Sequence, residues 1–284
     1  MSDLKSYDPK LSFEELGKSI SKLGIKKANS RPWQLILLGI LAGLYISIGG
    51  HLYLIAIAEG AGKLVGGAVF SVGLILVVIA GAELFTGNVI MIVGSVTRLY
   101  SIRKLMRNWF FVYLGNFIGA ILYTYLIYKA GFFGEPSGGF SGVVESNTLG
   151  ELAAAIASKK LSLSFSTALI RGVFCNILVI LAVILSAMAK DITSKMLACM
   201  VPVMAFVAIG FEHCIANMFL IPIGLLVQGA SFSDQFSMFV NIVPVTIGNI
   251  LGGIFILFIH PNRIRQIGTL IKRQRKHVSK EGTS

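Results

Sequence analysis

A few ionisable side chains lie inside long apolar stretches of the sequence: His51, Glu83, Arg171, Glu212 and His213. At membrane depth such a group costs several kcal/mol unless it faces protein or water, so each marks either a solute path or a structural pair. Glu212-His213 is the pair best suited to chemistry, following Gly210 and lying within reach of Asn217 where the apolar run is interrupted. Histidine is the side chain whose ordinary pKa lies near neutrality, so it can hold an anion when charged or exchange a proton with it. A ring satisfied by backbone carbonyls is the structural alternative, but it leaves the interruption beside it unexplained. Glu212 reads as an orienting or charge-balancing partner. Thr86, after Phe85, sits at a similar interruption, and its hydroxyl can donate to a solute or to His213. Arg171 suits pairing with a carboxylate across the bundle better than solute contact, and His51 beside Gly49-Gly50 reads as an interfacial residue. Phe70, Leu74, Leu84, Phe85 and Phe206 are bulky apolar residues of the kind that ordinarily face lipid or core. HExxH, CxxC, a carboxylate cage and a phosphate-binding glycine loop are all missing from the sequence, so no cofactor, metal or redox and hydrolytic machinery is expected.

These residues must be positioned by elements that the composition identifies. Of 284 residues, 55% are hydrophobic and only 13% charged, against roughly 25% charge in a soluble domain. With a mean hydropathy of +0.80, the chain could not cover a globular surface in water, and disorder is excluded by the same numbers. It reads as an integral membrane protein. The net charge of +12 lies in loops and tails, where the positive-inside rule already calls for it, and no soluble domain presents it to nucleic acid. Cys175, Cys199 and Cys214 all fall in apolar stretches, which argues against disulfides and structural zinc. Residues 1–32 are polar, so no cleavable signal peptide is expected there.

Apolar runs between charges predict six spans, near Trp33–Ala58, Leu64–Val96, Asn108–Tyr128, Leu161–Met188, Met196–Val227 and Phe236–Ile259. Lysines and arginines gather before span one, in the loops after spans two and four, and in the tail. The opposite loops hold Glu59, Glu135, Glu145, Glu151 and Asp234, so both termini are expected in the cytoplasm. The chain divides into residues 1–32, an N-terminal amphipathic helix; 33–259, the six-span domain; and 260–284, a basic tail. In the first, Ser12-Phe13-Glu14-Glu15 has capping-box spacing, and Phe13, Leu16, Ile20, Leu23 and Ile25 approximate one face. A surface anchor is at least as good a reading of that helix as a gate. Spans two and five are too long: as single helices they would run about 48 Å against a core of about 30 Å. Polar residues interrupt both, Glu83, Thr86 and Asn88 in one and Glu212, His213 and Asn217 in the other. The following spans carry matching strings, Gly115-Asn116-Phe117-Ile118-Gly119-Ala120 and Gly248-Asn249-Ile250-Leu251-Gly252-Gly253. Two three-span halves of opposite orientation follow, with the broken helices pointing to the solute site and the glycines to close helix packing.

Glu83-Leu84-Phe85-Thr86-Gly87, Gly115-Asn116, Arg171-Gly172 with Cys175-Asn176, and the string from Gly210 to Phe219 resemble the formate/nitrite transporter family. The resemblance covers nearly the whole chain, from Gly24 to Ile259. It implies an all-α, aquaporin-like six-helix protomer assembled as a homopentamer in the bacterial cell membrane. Each protomer would have its own pore for small monovalent anions such as formate, nitrite or hydrosulfide, together with protons. By motif, Thr86 and His213 would be the central polar pair, with Asn176 completing the chamber. Phe70, Leu74, Leu84, Phe85 and Phe206 would form constrictions, and Lys160 and Lys27 would be the basic residues of the outer and cytoplasmic vestibules. Such lysines would draw anions into the funnels, and a proton gained at His213 would lower the cost of crossing the apolar rings. A neutral-solute channel would need neither the Glu212-His213 centre nor the lysines, and a membrane enzyme would need a constellation that the sequence lacks.

Overall fold

The computed structural model describes residues 11–134 and 146–259, and these form ten helices. They are α1 (Phe13–Asn29), α2 (Pro32–Ala58), α3 (Gly62–Ala80), α4 (Phe85–Val96), α5 (Ile102–Lys129), α6 (Ser146–Leu161), α7 (Phe165–Met188), α8 (Ile192–Ile209), α9 (Cys214–Val227) and α10 (Asp234–Ile259). Six of them, α2, α3, α5, α7, α8 and α10, are long and apolar enough to cross a membrane, whereas α4 and α9 are short apolar pieces. The basic tail and the acidic Glu135 and Glu145 lie outside the described residues.

The two overlong runs divide where glycine permits it. Gly81 (φ +77°) ends α3 and Gly210 (φ +89°) ends α8, both in the left-handed region that a Cβ disfavours. The chain then runs extended through Leu84 and His213 before helix resumes. Each break leaves backbone groups that no lipid can satisfy, and one asparagine answers for each. Asn116 Oδ1 accepts from Phe85 N at 2.9 Å, while its Nδ2 donates to Gly39 O at 2.8 Å and Glu83 O at 2.9 Å. Asn249 repeats the pattern with Cys214 N at 3.0 Å, Gly172 O at 2.8 Å and Glu212 O at 3.0 Å.

One constant sequence offset relates Lys27 to Lys160, Gly39 to Gly172, Asn108 to Asn241 and Asn116 to Asn249. The same offset carries the start of α1 onto the start of α6. Each half therefore has the three spans expected from hydropathy and, ahead of them, a short helix that hydropathy did not show, α1 in the first and α6 in the second. Leu161, the expected start of span four, instead ends α6, and the span itself is Phe165–Met188. An alanine-rich helix of modest apolarity gives no span signal, which is why α6 escaped notice.

The anticipated capping box of α1 is present: Ser12 Oγ accepts from Glu15 N at 3.3 Å and the Glu15 carboxylate accepts from Ser12 N at 2.8 Å. Hydrogen bonds from Ser12 hold the Glu15 carboxyl below its usual range, so this contribution is full above the ordinary carboxylate pKa and is lost as pH falls through the lowered value. The buried face of α1 differs from expectation. Leu16, Gly24 and Ala28 are buried with Lys27 partly so, whereas Leu23 and Ile25 are exposed. Arg107 draws α1 down onto α5 by donating to Ala28 O and Ser30 O at 2.8 and 3.0 Å, which sets the register.

Helices α2 and α5 cross with backbones almost touching, and α7 and α10 do the same. A Cβ on Gly43 or Gly119 would run into Asn116 O or Ile40 O, and one on Gly248 or Gly252 into Leu169 O or Val173 O. Because backbone cannot yield as a side chain tip can, Gly119→Val or Gly252→Val should exceed the about 1–3 kcal/mol of ordinary overpacking and abolish a monodisperse assembly in detergent. Gly87→Ala, whose Cβ meets only Val183 Cγ2 at 3.4 Å, should assemble normally by the same size-exclusion measurement.

Candidate functional site

The breaks bring the N-termini of α4 and α9 together at the centre of the bundle. Thr86, in the first turn of α4, is fully buried, and its Oγ1 lies 2.9 Å from Nε2 of His213, the N-cap of α9. The other ring nitrogen decides who donates. His213 Nδ1 accepts from Ala216 N at 3.1 Å, so it carries no proton. The ring is then neutral with its proton on Nε2, and the Thr86 oxygen accepts it. Thr86 keeps its own hydroxyl proton for another acceptor, the reverse of the donation to His213 expected from sequence. Two helix N-termini also bring partial positive charge to the same spot without any formal cation. The His213 ring stacks on Phe206 at 5.9 Å, and Phe206 meets the edge of Phe70 at 6.0 Å. Leu74 is buried in the same α3. Asn176, fully buried, donates to Asn249 O at 2.6 Å and Thr86 O at 3.3 Å, which ties α7 to the start of α4.

On either side of this centre stands an ion-pair cluster, and the two are related by the repeat. On the α1 side Lys27 Nζ donates to Glu83 Oε2 at 2.9 Å and Asn88 Oδ1 at 2.7 Å, and Asn88 Nδ2 donates to Glu83 Oε2 at 2.6 Å and Asn108 Oδ1 at 3.0 Å. On the α6 side Lys160 Nζ donates to both Glu212 oxygens at 2.9 and 3.1 Å, and Asn217 Nδ2 donates to Glu212 Oε2 at 2.6 Å and Asn241 Oδ1 at 2.7 Å. Asn108 and Asn241 then close each ring by donating to the lysine's own carbonyl, at 3.3 and 2.9 Å. Each lysine is thus matched by a carboxylate at contact distance. The pairing largely cancels their far field, so neither lysine is an isolated cation. Glu212 balances Lys160, not His213. Removing one partner of such a part-buried pair costs about 3–5 kcal/mol, because the other charge is left uncompensated.

Other candidates fall elsewhere. Leu84 and Phe85 are buried on the α1 side, and the Phe85 ring packs on Tyr113 at 4.8 Å and Trp109 at 6.0 Å, apart from Phe70 and Phe206. Arg171 pairs with no carboxylate among the described residues; its carbonyl accepts from Glu212 N at 3.4 Å, so its position matters more than its charge. His51 lies inside the bundle instead of at its surface, with Nδ1 2.9 Å from Tyr123 Oη and its ring 5.0 Å from Phe133. Sequence reasoning missed Asn108 and Asn241, whose shared spacing from the GN strings is the signal that could have found them. It also missed Tyr113 and Thr246, equivalent positions of the two repeats whose hydroxyls meet at 2.9 Å on the pseudo-axis.

The cap fixes a measurable tautomer. Nitrogen NMR of protein labelled at histidine should show the His213 ring neutral at neutral pH with its proton on Nε2; a ring protonated on both nitrogens would contradict the bond from Ala216. His213→Leu, which cannot cap, should lose about 1 kcal/mol of stability relative to His213→Asn, which can, in thermal unfolding.

The geometry can be set beside known proteins. The formate/nitrite transporter family model matches residues 14–261. A probable formate transporter of Methanothermobacter thermautotrophicus is 41% identical over 253 residues, covering 84% of this chain and 91% of that protein. The formate channel FocA of Escherichia coli (strain K12) is 34% identical over 262 residues, covering 84% and 88%. Among solved structures, a pentameric formate channel with formate bound superposes with a TM-score of 0.64 at 36% identity, covering 79% of this chain and 94% of that one. An FNT family ion channel reaches 0.73 at 25% identity, covering 87% and 96%. With its six spans, the breaks after the second and the fifth, and this match over most of its length, the chain is an all-α multi-pass membrane protein of the formate/nitrite transporter family.

Proposed function

We propose that the chain carries small monovalent anions of weak acids, formate foremost, through a pore in each protomer of a homopentamer with both termini in the cytoplasm. The observation that carries this reading is the buried Thr86–His213 pair, set between two helix N-termini and shielded by Phe206 and Phe70. Formate as solute and the pentamer are supported by the similarity to formate channels; the cytoplasmic termini rest on the charge bias of the loops.

The chemistry follows from what the centre offers. A bare anion faces tens of kcal/mol of Born cost, before relaxation, in entering an apolar constriction; a neutral acid does not. At the centre, helix N-termini and the Thr86 hydroxyl stabilise developing negative charge, while the ring of His213 holds that hydroxyl in place. Charge is favoured at the centre and penalised at Phe70 and Phe206, so a solute that gains a proton in the constriction and can part with it elsewhere crosses most easily. Formate, nitrite and hydrosulfide all have such a neutral form, and chloride does not in water at accessible pH.

Uptake into proteoliposomes should therefore favour formate over chloride by roughly ten-fold or more and rise as external pH falls. Equal chloride flux with no pH dependence would leave an electrostatic anion channel with His213 as a fixed donor. His213→Phe should abolish or strongly alter the pH response while pentamers still form. Phe70→Ala, which widens the ring without touching His213, should admit acetate and larger carboxylates; unchanged size selectivity would show that the limit lies elsewhere.

A further inference from the structure

Lys160, Glu212 and His213 share the lining of a cavity of about 80 Å³, room for several water-sized groups. Its polar lining comes from the second half of the chain with one exception, Tyr53 of α2. Packing places the Tyr53 ring. It lies along Gly66 of α3, where a Cβ would meet Tyr53 Cδ2 and Ile57 Cδ1 at 3.0 Å. The hydroxyl makes no hydrogen bond among the described residues, yet it is not sealed away: Tyr53 is only part-buried, and its oxygen is not one of the enclosed atoms that lack a partner. The charge of Glu212 acts on this phenol through space. The α1 side has no counterpart. The offset that carries Lys27 onto Lys160 carries Tyr53 onto Ser186, whose Oγ is spent on Val183 O at 2.9 Å within its own helix.

We infer that Tyr53 holds the solute in this cavity, through a hydroxyl that serves the anion and the acid alike. A hydroxyl has one donor and two acceptor lone pairs, and its proton rotates to suit. To a carboxylate the phenol donates; from a carboxylic acid it accepts. The other polar groups of the lining cannot do both. Lys160, with two of its three N–H groups given to Glu212, can donate to either form but accepts from neither. Glu212 only accepts, and its charge repels an anion. His213 is committed to Thr86 and Ala216 N, and Asn217 Nδ2 to Glu212 and Asn241. Tyr53 alone among these lining groups can therefore keep hold of the solute while its protonation changes. Sulfur is a weak acceptor, so hydrosulfide gains little from the same hydroxyl. This hold rests on the weak-acid reading above and adds to it a preference for oxygen acids.

The test compares formate and hydrosulfide uptake by the full-length protein in proteoliposomes. Tyr53→Phe, which removes only the hydroxyl, should raise the formate concentration for half-maximal uptake about five-fold while maximal flux changes less than about two-fold. Because the hydroxyl serves both forms, the rise should be the same at neutral and mildly acidic pH. Half-saturation for hydrosulfide should move less than about two-fold. Unchanged half-saturation for formate, or an equal rise for both solutes, with flux that still increases in acid, would overturn the role of Tyr53 and leave the weak-acid route standing. Flux without any pH dependence would overturn both. If Tyr53→Phe fails to assemble, fluorotyrosine placed at position 53 decides: its fluorine resonance should shift with added formate over the concentrations that half-saturate uptake, and a resonance that formate leaves unmoved would overturn the hold.

Discussion

Breaking a helix inside a membrane exposes backbone donors and acceptors where water cannot reach them, and everything distinctive here depends on how that is repaired. The repair is one amide per break. Asn116 and Asn249 each satisfy three backbone groups: an N–H at the start of the short helix, a carbonyl in the break before it and a carbonyl of the packed helix. To reach them, the asparagine-bearing helix must lie almost in contact with its partner, which is why glycines flank it in Gly115-Asn116 and Gly248-Asn249 and again at Gly119 and Gly252. Close packing and polar satisfaction are therefore one requirement. With the breaks secured, α4 and α9 can start at the centre and point their N-termini at one another.

Symmetry explains the frame and asymmetry explains the chemistry. Both repeats supply a lysine, a glutamate and two asparagines, so the two clusters are built from the same residues. At the centre the equivalence ends. The residue that corresponds to His213 in the first repeat is Leu84, and the residue that corresponds to Asn176 is Gly43, where a side chain would strike Asn116 O. Only one break can present an imidazole, and it faces a hydroxyl from the other. Capping of α9 by that same imidazole ties the tautomer of the ring to the existence of the helix.

Charge is used sparingly. In a low dielectric an isolated ammonium would be costly, and Lys27 and Lys160 each have a carboxylate at 2.9 Å. What remains at the centre is a set of dipoles: two helix N-termini and the Thr86 hydroxyl, held by the His213 ring. Fixed dipoles stabilise a charge or a proton donor in passing without binding a counterion so tightly that it stays. The pairing also fastens α1 to the bundle, since Lys27 is the only residue of α1 that Glu83 holds through an ion pair among the described residues.

Much of this was determined by the sequence alone. Apolar content and span length, with the polar interruptions at Glu83 and Glu212, required six crossings with two breaks. The strings around Gly115 and Gly248 required a repeat. Thr86 and His213 stood out in the sequence because polar residues at membrane depth are costly, whereas Phe70, Leu74, Leu84, Phe85 and Phe206 were singled out only by the family resemblance. The tertiary structure decided whatever depends on two distant residues meeting. Lys27 and Lys160 read as free cations until their glutamates, more than fifty positions away, were seen beside them. Asn108 and Asn241 carried only their shared spacing from the GN strings as a signal, and an amide has no evident role until its partner is known. Helix α6 was hidden because its role is to seat Lys160, not to span. The proton on His213 was undecidable from sequence, since it is set by a backbone N–H three residues away that is free to donate only because the chain breaks just before it.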